Sequence, residues 1–321
     1  MTDTFIHPEL AALRPLLCHP DPAVRCVALL QAADLVAADD VTLFVHAARD
    51  PAPEVRQEAV RALEGAAAPE AVTTLLECLG DADIRVRNAA AASLAELRDT
   101  AAGLLLVERF GGADSNVRSA ILAALRNLRL PESLALAQQG LADPLPATRR
   151  EAVRVLAYLR APQALPHLAQ AASDADPQVR RAAVGALGYA SDDSTLPALL
   201  QSLLDSDWEV REESAVTLGK LLLPSSAGGL ITALLSDQFW QVRLKAATAL
   251  GRLRESSAVP ALANALKHTI SNLRKEAASA LGTIGDSAAV PALTAALDDP
   301  DLEVRKIASH SLSLLAKPVS R

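Results

Sequence analysis

Six histidines (His7, His19, His46, His167, His268 and His310) and three cysteines (Cys18, Cys26 and Cys78) are the residues of this chain best suited to holding a metal or forming a covalent bond. Their spacing suits neither task. No two histidines stand in the HExxH arrangement that places two imidazoles on one helical face, and no CxxC pair is present. The sequence also lacks GxSxG, a phosphate-cradling P-loop and a dinucleotide fingerprint. Glu212 and Glu213 are neighbours, but about 100° apart on a helix, so they do not converge as an acid-base pair. The expectation is a chain with no catalytic residues, no bound metal and no cofactor of its own.

The elements that position these residues are set by one arginine. It recurs at Arg25, Arg56, Arg87, Arg118, Arg149, Arg180 and Arg211 in steps of 31 residues, then at Arg243 after 32, and again at Arg274 and Arg305. Ten repeats account for nearly all of the 321 residues. A fixed period carried by apolar positions marks a solenoid in which each unit stacks on its neighbours. Within a unit, Leu165, Leu168 and Ala172 recur at helical spacing, Asp174 to Pro177 break the pattern, and Val179, Ala183, Leu187 and Ala190 resume it. This is helix, turn, helix. Asp at four before the arginine (Asp21, Asp83, Asp114, Asp176, Asp207, Asp301) is placed to cap the second helix, and Pro at three before it (Pro22, Pro53, Pro146, Pro177) suits the first helical turn. A further Asp at six before it gives way to His19 and His268, which are expected to cap the turn in its place. The arginine itself reads as an ion pair or carbonyl cap that every unit needs, and Gly188, Gly219, Gly251 and Gly282, eight residues after it, read as structural.

The pattern Asp-x-Asp-x-x-Val-Arg-x-x-Ala-x-x-Ala-Leu-Gly resembles the HEAT-like repeats of the phycobilin lyase type. The resemblance covers essentially residues 1–321 and implies a single domain, an all-α right-handed α-solenoid. It also implies second helices on the concave side and Asp-Arg pairing across successive repeats. The iron-dependent hydroxylases built from such repeats use His-Glu dipeptides as ligands, and this chain contains none. From Pro224 to Gly229 the turn before the first helix of repeat 8 is expected to loosen into a longer loop or a bend, where the one extra residue falls.

A helical wheel puts positions −1, +3, +7 and +10 from the arginine on the buried side and +2, +5 and +9 on the open side. The +9 column contains Tyr158, Tyr189, Lys220 and Arg252 in consecutive repeats, with Lys245 at +2 and Lys275 at +1. Trp208 and Trp240 share a column three before the arginine, and Phe239 adjoins Trp240. Aromatic residues make up only 2% of the chain, so this clustering in repeats 5 to 8 is notable. Aromatic rows beside positive charge suit an acidic peptide or helix, a flat anion, or stacked bases.

Charge strengthens a binding reading without choosing among these ligands. The chain carries −7 overall, which opposes general nucleic-acid binding. Residues 220–275 nevertheless hold eight basic residues against Asp237 and Glu255, a net of +6. The reading is a cytoplasmic, monomeric, non-enzymatic scaffold whose groove at repeats 5 to 8 binds an acidic protein partner. Its rivals are a lyase or chaperone handling a tetrapyrrole or other cofactor, which the resemblance allows, and a nucleic-acid binder using residues 220–275. Neither a secretory signal nor a membrane span is expected.

Overall fold

The computed structural model describes residues 8–35 and 41–316; His7, Lys317 and Pro318 lie outside them. The described residues are helical throughout and contain no strand. The chain folds as two compact units, Met1–Leu159 and Arg160–Arg321. In the first unit the helices are α1 (Pro8–Leu17), α2 (Pro22–Leu35), α3 (Thr42–Ala47), α4 (Pro53–Ala62), α5 (Pro69–Cys78), α6 (Ile84–Ala95), α7 (Thr100–Phe110), α8 (Ser115–Leu128), α9 (Ser133–Gly140) and α10 (Pro146–Leu159). In the second they are α11 (Leu165–Ala171), α12 (Pro177–Ala186), α13 (Leu196–Ser202), α14 (Trp208–Leu221), α15 (Ala227–Ser236), α16 (Trp240–Leu253), α17 (Val259–Ala265), α18 (Ser271–Ile284), α19 (Val290–Ala295) and α20 (Leu302–Leu315). Each odd-even pair is one repeat, so each unit holds five.

The second helices begin where their caps dictate. Asp83, Asp114, Asp176, Asp207 and Asp301 each accept a backbone N–H from the first turn of the helix that follows, and Asp21 accepts that of Ala23. Pro22, Pro53, Pro146 and Pro177 open their helices, where a missing N–H costs nothing. The buried face is the one expected from the wheel. Every residue at +3 is fully buried, from Ala28 to Ala308, and at +7 the same holds from Ala32 through Leu281. The +9 column is exposed except at Tyr189. The +2 column departs from expectation: Ala89 and Glu151 are buried and Lys245 is half-buried. Within each unit successive second helices lie side by side, so each shields the +2 flank of its neighbour.

Close approach within the second unit depends on glycine. A Cβ built on Gly219 would lie 2.9 Å from that of Ala249 and 3.0 Å from its Cα, and one on Gly251 would lie 2.9 Å from both atoms of Ala280. Backbone therefore packs against backbone between α14 and α16, and again between α16 and α18.

Repeat 8 does not loosen as expected. Pro224–Ser226 forms a 3-10 turn like those at Ser256–Ala258 and Ser287–Ala289, and Gly228 and Gly229 are inside α15. The extra residue is absorbed by that helix, which has ten residues where α13 and α17 have seven. The run Ala-Gly-Gly-Leu is misleading in the sequence because packing outweighs glycine's weak helical propensity: a Cβ on Gly229 would lie 2.8 Å from Leu200 Cδ2.

Candidate functional site

Five register arginines perform both expected jobs at once. In repeat 2, Arg56 Nη1 donates to the carbonyls of Asp50 (2.9 Å) and Pro51 (3.1 Å) in its own turn, while Nε and Nη2 grip both carboxylate oxygens of Asp81 in the next repeat at 2.7 Å. The same two-pronged grip joins Arg25 to Asp50, Arg180 to Asp205, Arg211 to Asp237 and Arg274 to Asp299. Arg118 reaches Asp143 through one nitrogen at 3.3 Å. Each gripped Asp also accepts the backbone N–H two residues on, as Asp81 does from Asp83 at 2.8 Å. The Arg56 bond holds the Asp81 carboxyl below its usual range, as Arg274 does that of Asp299, although burial opposes both shifts.

Two junctions lack this acid. Before Arg118 the position is Gly112, so Arg87 bonds only the carbonyls of Asp81 and Ala82 among the described residues. Before Arg274 it is His268, whose Nδ1 accepts the N–H of Ile270 at 3.1 Å, and His19 accepts that of Asp21 in the same way. Burial, helped by Arg243 and Arg274, pushes the His268 pKa down, which keeps its ring neutral as this acceptor role requires.

The nine predicted binding residues do not form one cluster. Tyr158 belongs to the first unit, where the guanidinium of Arg129 covers its ring 4.6 Å from the centroid. In the second unit, the Tyr189 hydroxyl donates to the Ala161 carbonyl at 3.0 Å, and burial raises its pKa. Each tyrosine thus reaches back to the loop before its own repeat. Trp208 stacks on Phe239, with centroids 5.3 Å apart and planes at 11°, and Arg211 lies 5.6 Å from the centroid of the Phe239 ring. This stack joins the turns of repeats 7 and 8.

The basic residues stand elsewhere. Lys220 is in the last turn of α14, twelve residues after Trp208, which is about 18 Å along the axis. Arg252 has the same relation to Trp240 on α16. The column numbers, −3 and +9, already contained that separation. Lys220 and Arg252 are exposed, directly beside Gly219 and Gly251, where the helices approach closely. Lys245 and Lys275 are half-buried nearer the starts of α16 and α18. Among the described residues Lys220, Lys245 and Arg252 form no salt bridge.

A cleft of about 480 Å³ between α4 and α6, lined by Gln57, Arg61, Arg85 and Asn88 among others, was not foreseen. Its polar residues lie at scattered columns that no motif singles out.

Among the described residues no three His, Cys, Asp or Glu side chains are grouped to hold a metal. Burial pushes the Cys78 thiol up to about 11, and burial with nearby Glu58, Glu54 and Asp50 raises that of Cys26. Both shifts oppose a reactive thiolate. No described helix is long and apolar enough to cross a membrane.

The comparisons with known proteins agree with this architecture. Among solved structures, an engineered protein aligns with 97% of this chain and all of its own, at 22% identity and a TM-score of 0.54. Kap95p, in a structure with RanGDP, aligns with 96% of this chain at 17% identity and a TM-score of 0.66, and importin beta with 96% at 15% and 0.64. The chain spans about half the length of these two karyopherins. At such identities the likeness is one of fold. No curated protein matches the sequence. The family model for HEAT repeats matches residues 41–126, 104–176, 165–228 and 227–313, and the chain belongs to the HEAT-repeat family.

Proposed function

We propose that this chain is a non-enzymatic protein-binding scaffold. It recognises an acidic helix or peptide along the exposed ends of its second helices in repeats 7 and 8. The observation that carries this reading is the pair of exposed cations without salt bridges, Lys220 and Arg252, on helices in backbone contact. Neighbouring helices ordinarily pack 8 to 10 Å apart. A partner helix with acidic side chains two turns apart, about 11 Å, would meet both cations of such a pair. Kap95p, whose fold this chain shares, is seen in a structure with a protein, RanGDP, which supports a scaffold role.

The aromatic residues contribute less than their clustering suggested, because four of the five are engaged within the chain. Trp240 is the one the reading retains, at the opposite end of α16 from Arg252.

The test is affinity capture from the native cell with wild type and with Lys220→Glu/Arg252→Glu, at about 0.2 M salt and with nuclease. Recovery of one acidic protein by wild type, with at least tenfold loss in the variant, is expected. Reversing these charges should chiefly slow association. Equal recovery by both proteins, or recovery only of nuclease-sensitive material, would refute the proposal.

A further inference from the structure

The cleft between α4 and α6 is open because one side chain there is short. Two residues after the register arginine, repeats 2, 5, 7 and 9 carry Glu58, Glu151, Glu213 and Glu276, whereas repeat 3 carries Ala89. Between repeats 6 and 7 the chain fills the equivalent space itself. The Glu213 carboxylate lies where a Cβ on Gly185 would be 2.9 Å from its Oε1, and Arg181 bonds Glu209 at 2.7 Å and comes within 4.0 Å of Glu213. Between repeats 2 and 3, Gln57 stands where Arg181 does, Arg85 where Glu209 does and Ala89 where Glu213 does. Among the described residues no ion pair crosses that gap, since Arg61 and Arg85 pair with Glu58 and Asp83 of their own repeats, and about 480 Å³ stays open.

We propose that this cleft binds an extended peptide segment of a protein partner through its main chain. Gln57 and Asn88 line it from adjacent helices, each one residue after its register arginine, and neither side-chain amide makes a hydrogen bond among the described residues. Charge weighs against an anion: Arg61 and Arg85 already hold acids at 2.8 Å, and Glu64, also in the lining, has no ion pair. The floor is buried Ala89 and Ser93, whose hydroxyl is spent on the Val60 carbonyl at 3.0 Å. What remains unpaired is two carboxamides, and each presents a donor beside an acceptor, as a residue of an extended strand does. Alternate residues of such a strand face the same way about every 7 Å. Neighbouring helices lie about 8 to 10 Å apart, and Gln57 is longer than Asn88 by one methylene, so the two amides can meet residues i and i+2 of one strand. The cleft is within the range of about 300 to 1,000 Å³ usual for ligand sites. Such a site rests on the scaffold reading but is separate from the cations of repeats 7 and 8, which belong to the other unit.

The test is selection from a displayed library of random peptides, about eight residues long to span both helices, on the full chain. Counterselection uses Ala89→Glu, which gives repeat 3 the acid carried by repeats 2, 5, 7 and 9. Peptides that bind wild type and lose about tenfold or more in affinity toward Ala89→Glu, and toward Gln57→Ala/Asn88→Ala, are expected. The second variant removes two amides that bond nothing in the chain, and it serves alone if circular dichroism shows Ala89→Glu unfolded. N-methylation of a selected peptide, one residue at a time, then separates main-chain from side-chain recognition. Losses of about tenfold at two positions two residues apart are expected, one hydrogen bond each. No peptide enriched over the folded variants, or an N-methyl scan without such losses, would overturn the proposal. Peptides lost only in Lys220→Glu/Arg252→Glu would overturn it too, while supporting the site in repeats 7 and 8.

Discussion

The junction between Arg56 and Asp81 offers a measurement of what holds successive repeats in register. Asp81→Ala removes two charge-assisted bonds at 2.7 Å and one from the Asp83 N–H at 2.8 Å. Bonds to charged groups each contribute about 1.5 to 3 kcal/mol, and truncating one partner of a fully buried pair costs about 3 to 5. Here the side chains are 17% and 11% exposed, so water recovers part of the loss and Arg56 keeps its carbonyls. The expectation is about 3 kcal/mol for Asp81→Ala, with a coupling of about 2 kcal/mol in a double-mutant cycle with Arg56→Met. Arg49 and Glu77 provide the control, since they are 3.3 Å apart with side chains 65% and 52% exposed, and pairs of that kind couple by about 0.5 kcal/mol or less. Urea unfolding followed by circular dichroism gives the totals. Native-state hydrogen exchange localises them, which matters because repeat arrays need not unfold in one step. A coupling at Arg56–Asp81 no larger than at Arg49–Glu77 would refute the idea that these bonds fix the stacking.

Three further outcomes are expected. Gly251→Ala should cost about 1 to 3 kcal/mol, because the new methyl meets Ala280 at 2.9 Å, whereas Gly228→Ala in α15 meets nothing within 4 Å and should gain about 0.5 to 1; urea midpoints will decide. Stability should fall in acid: the Asp81 and Asp299 carboxyls are depressed in the folded state, so the unfolded chain binds more protons as pH drops through about 4, and the contribution vanishes below the folded values. Acid titration by circular dichroism should show that loss, and Asp81→Asn should blunt it. Toward a disulfide reagent at pH 8, exposed Cys18 should react fastest and buried Cys78, with its thiol at about 11, only on unfolding.

The repeat register, the helix starts and the buried wheel positions were legible in the sequence because each is a local rule repeated ten times. An Asp four residues before an arginine caps its own helix whatever lies beyond. Links between repeats were legible only in part, since spacing shows that an Asp and an arginine recur but not that the arginine holds its own carbonyls and the following repeat's acid together. The exposure of +2 was misread because a wheel describes one isolated helix, and the flank at Glu151 is covered by a neighbour. Scarcity of aromatics suggested one surface, yet Trp208 found Phe239 and Tyr189 found a carbonyl. Composition cannot tell a side chain kept for a partner from one used within the fold.

Each two-pronged arginine grip points one way along the chain, from a repeat to its successor, and draws on nothing farther off. Because most repeats both offer an acid backward and extend a cation forward, a segment excised or duplicated between such positions would meet its new neighbour with the bond already provided. Such a chain can change length through recombination without inventing a new joint. Gly112 and His268 mark the two joints where that interchangeability has lapsed, so a repeat moved next to either would carry its arginine to a place with no answering acid.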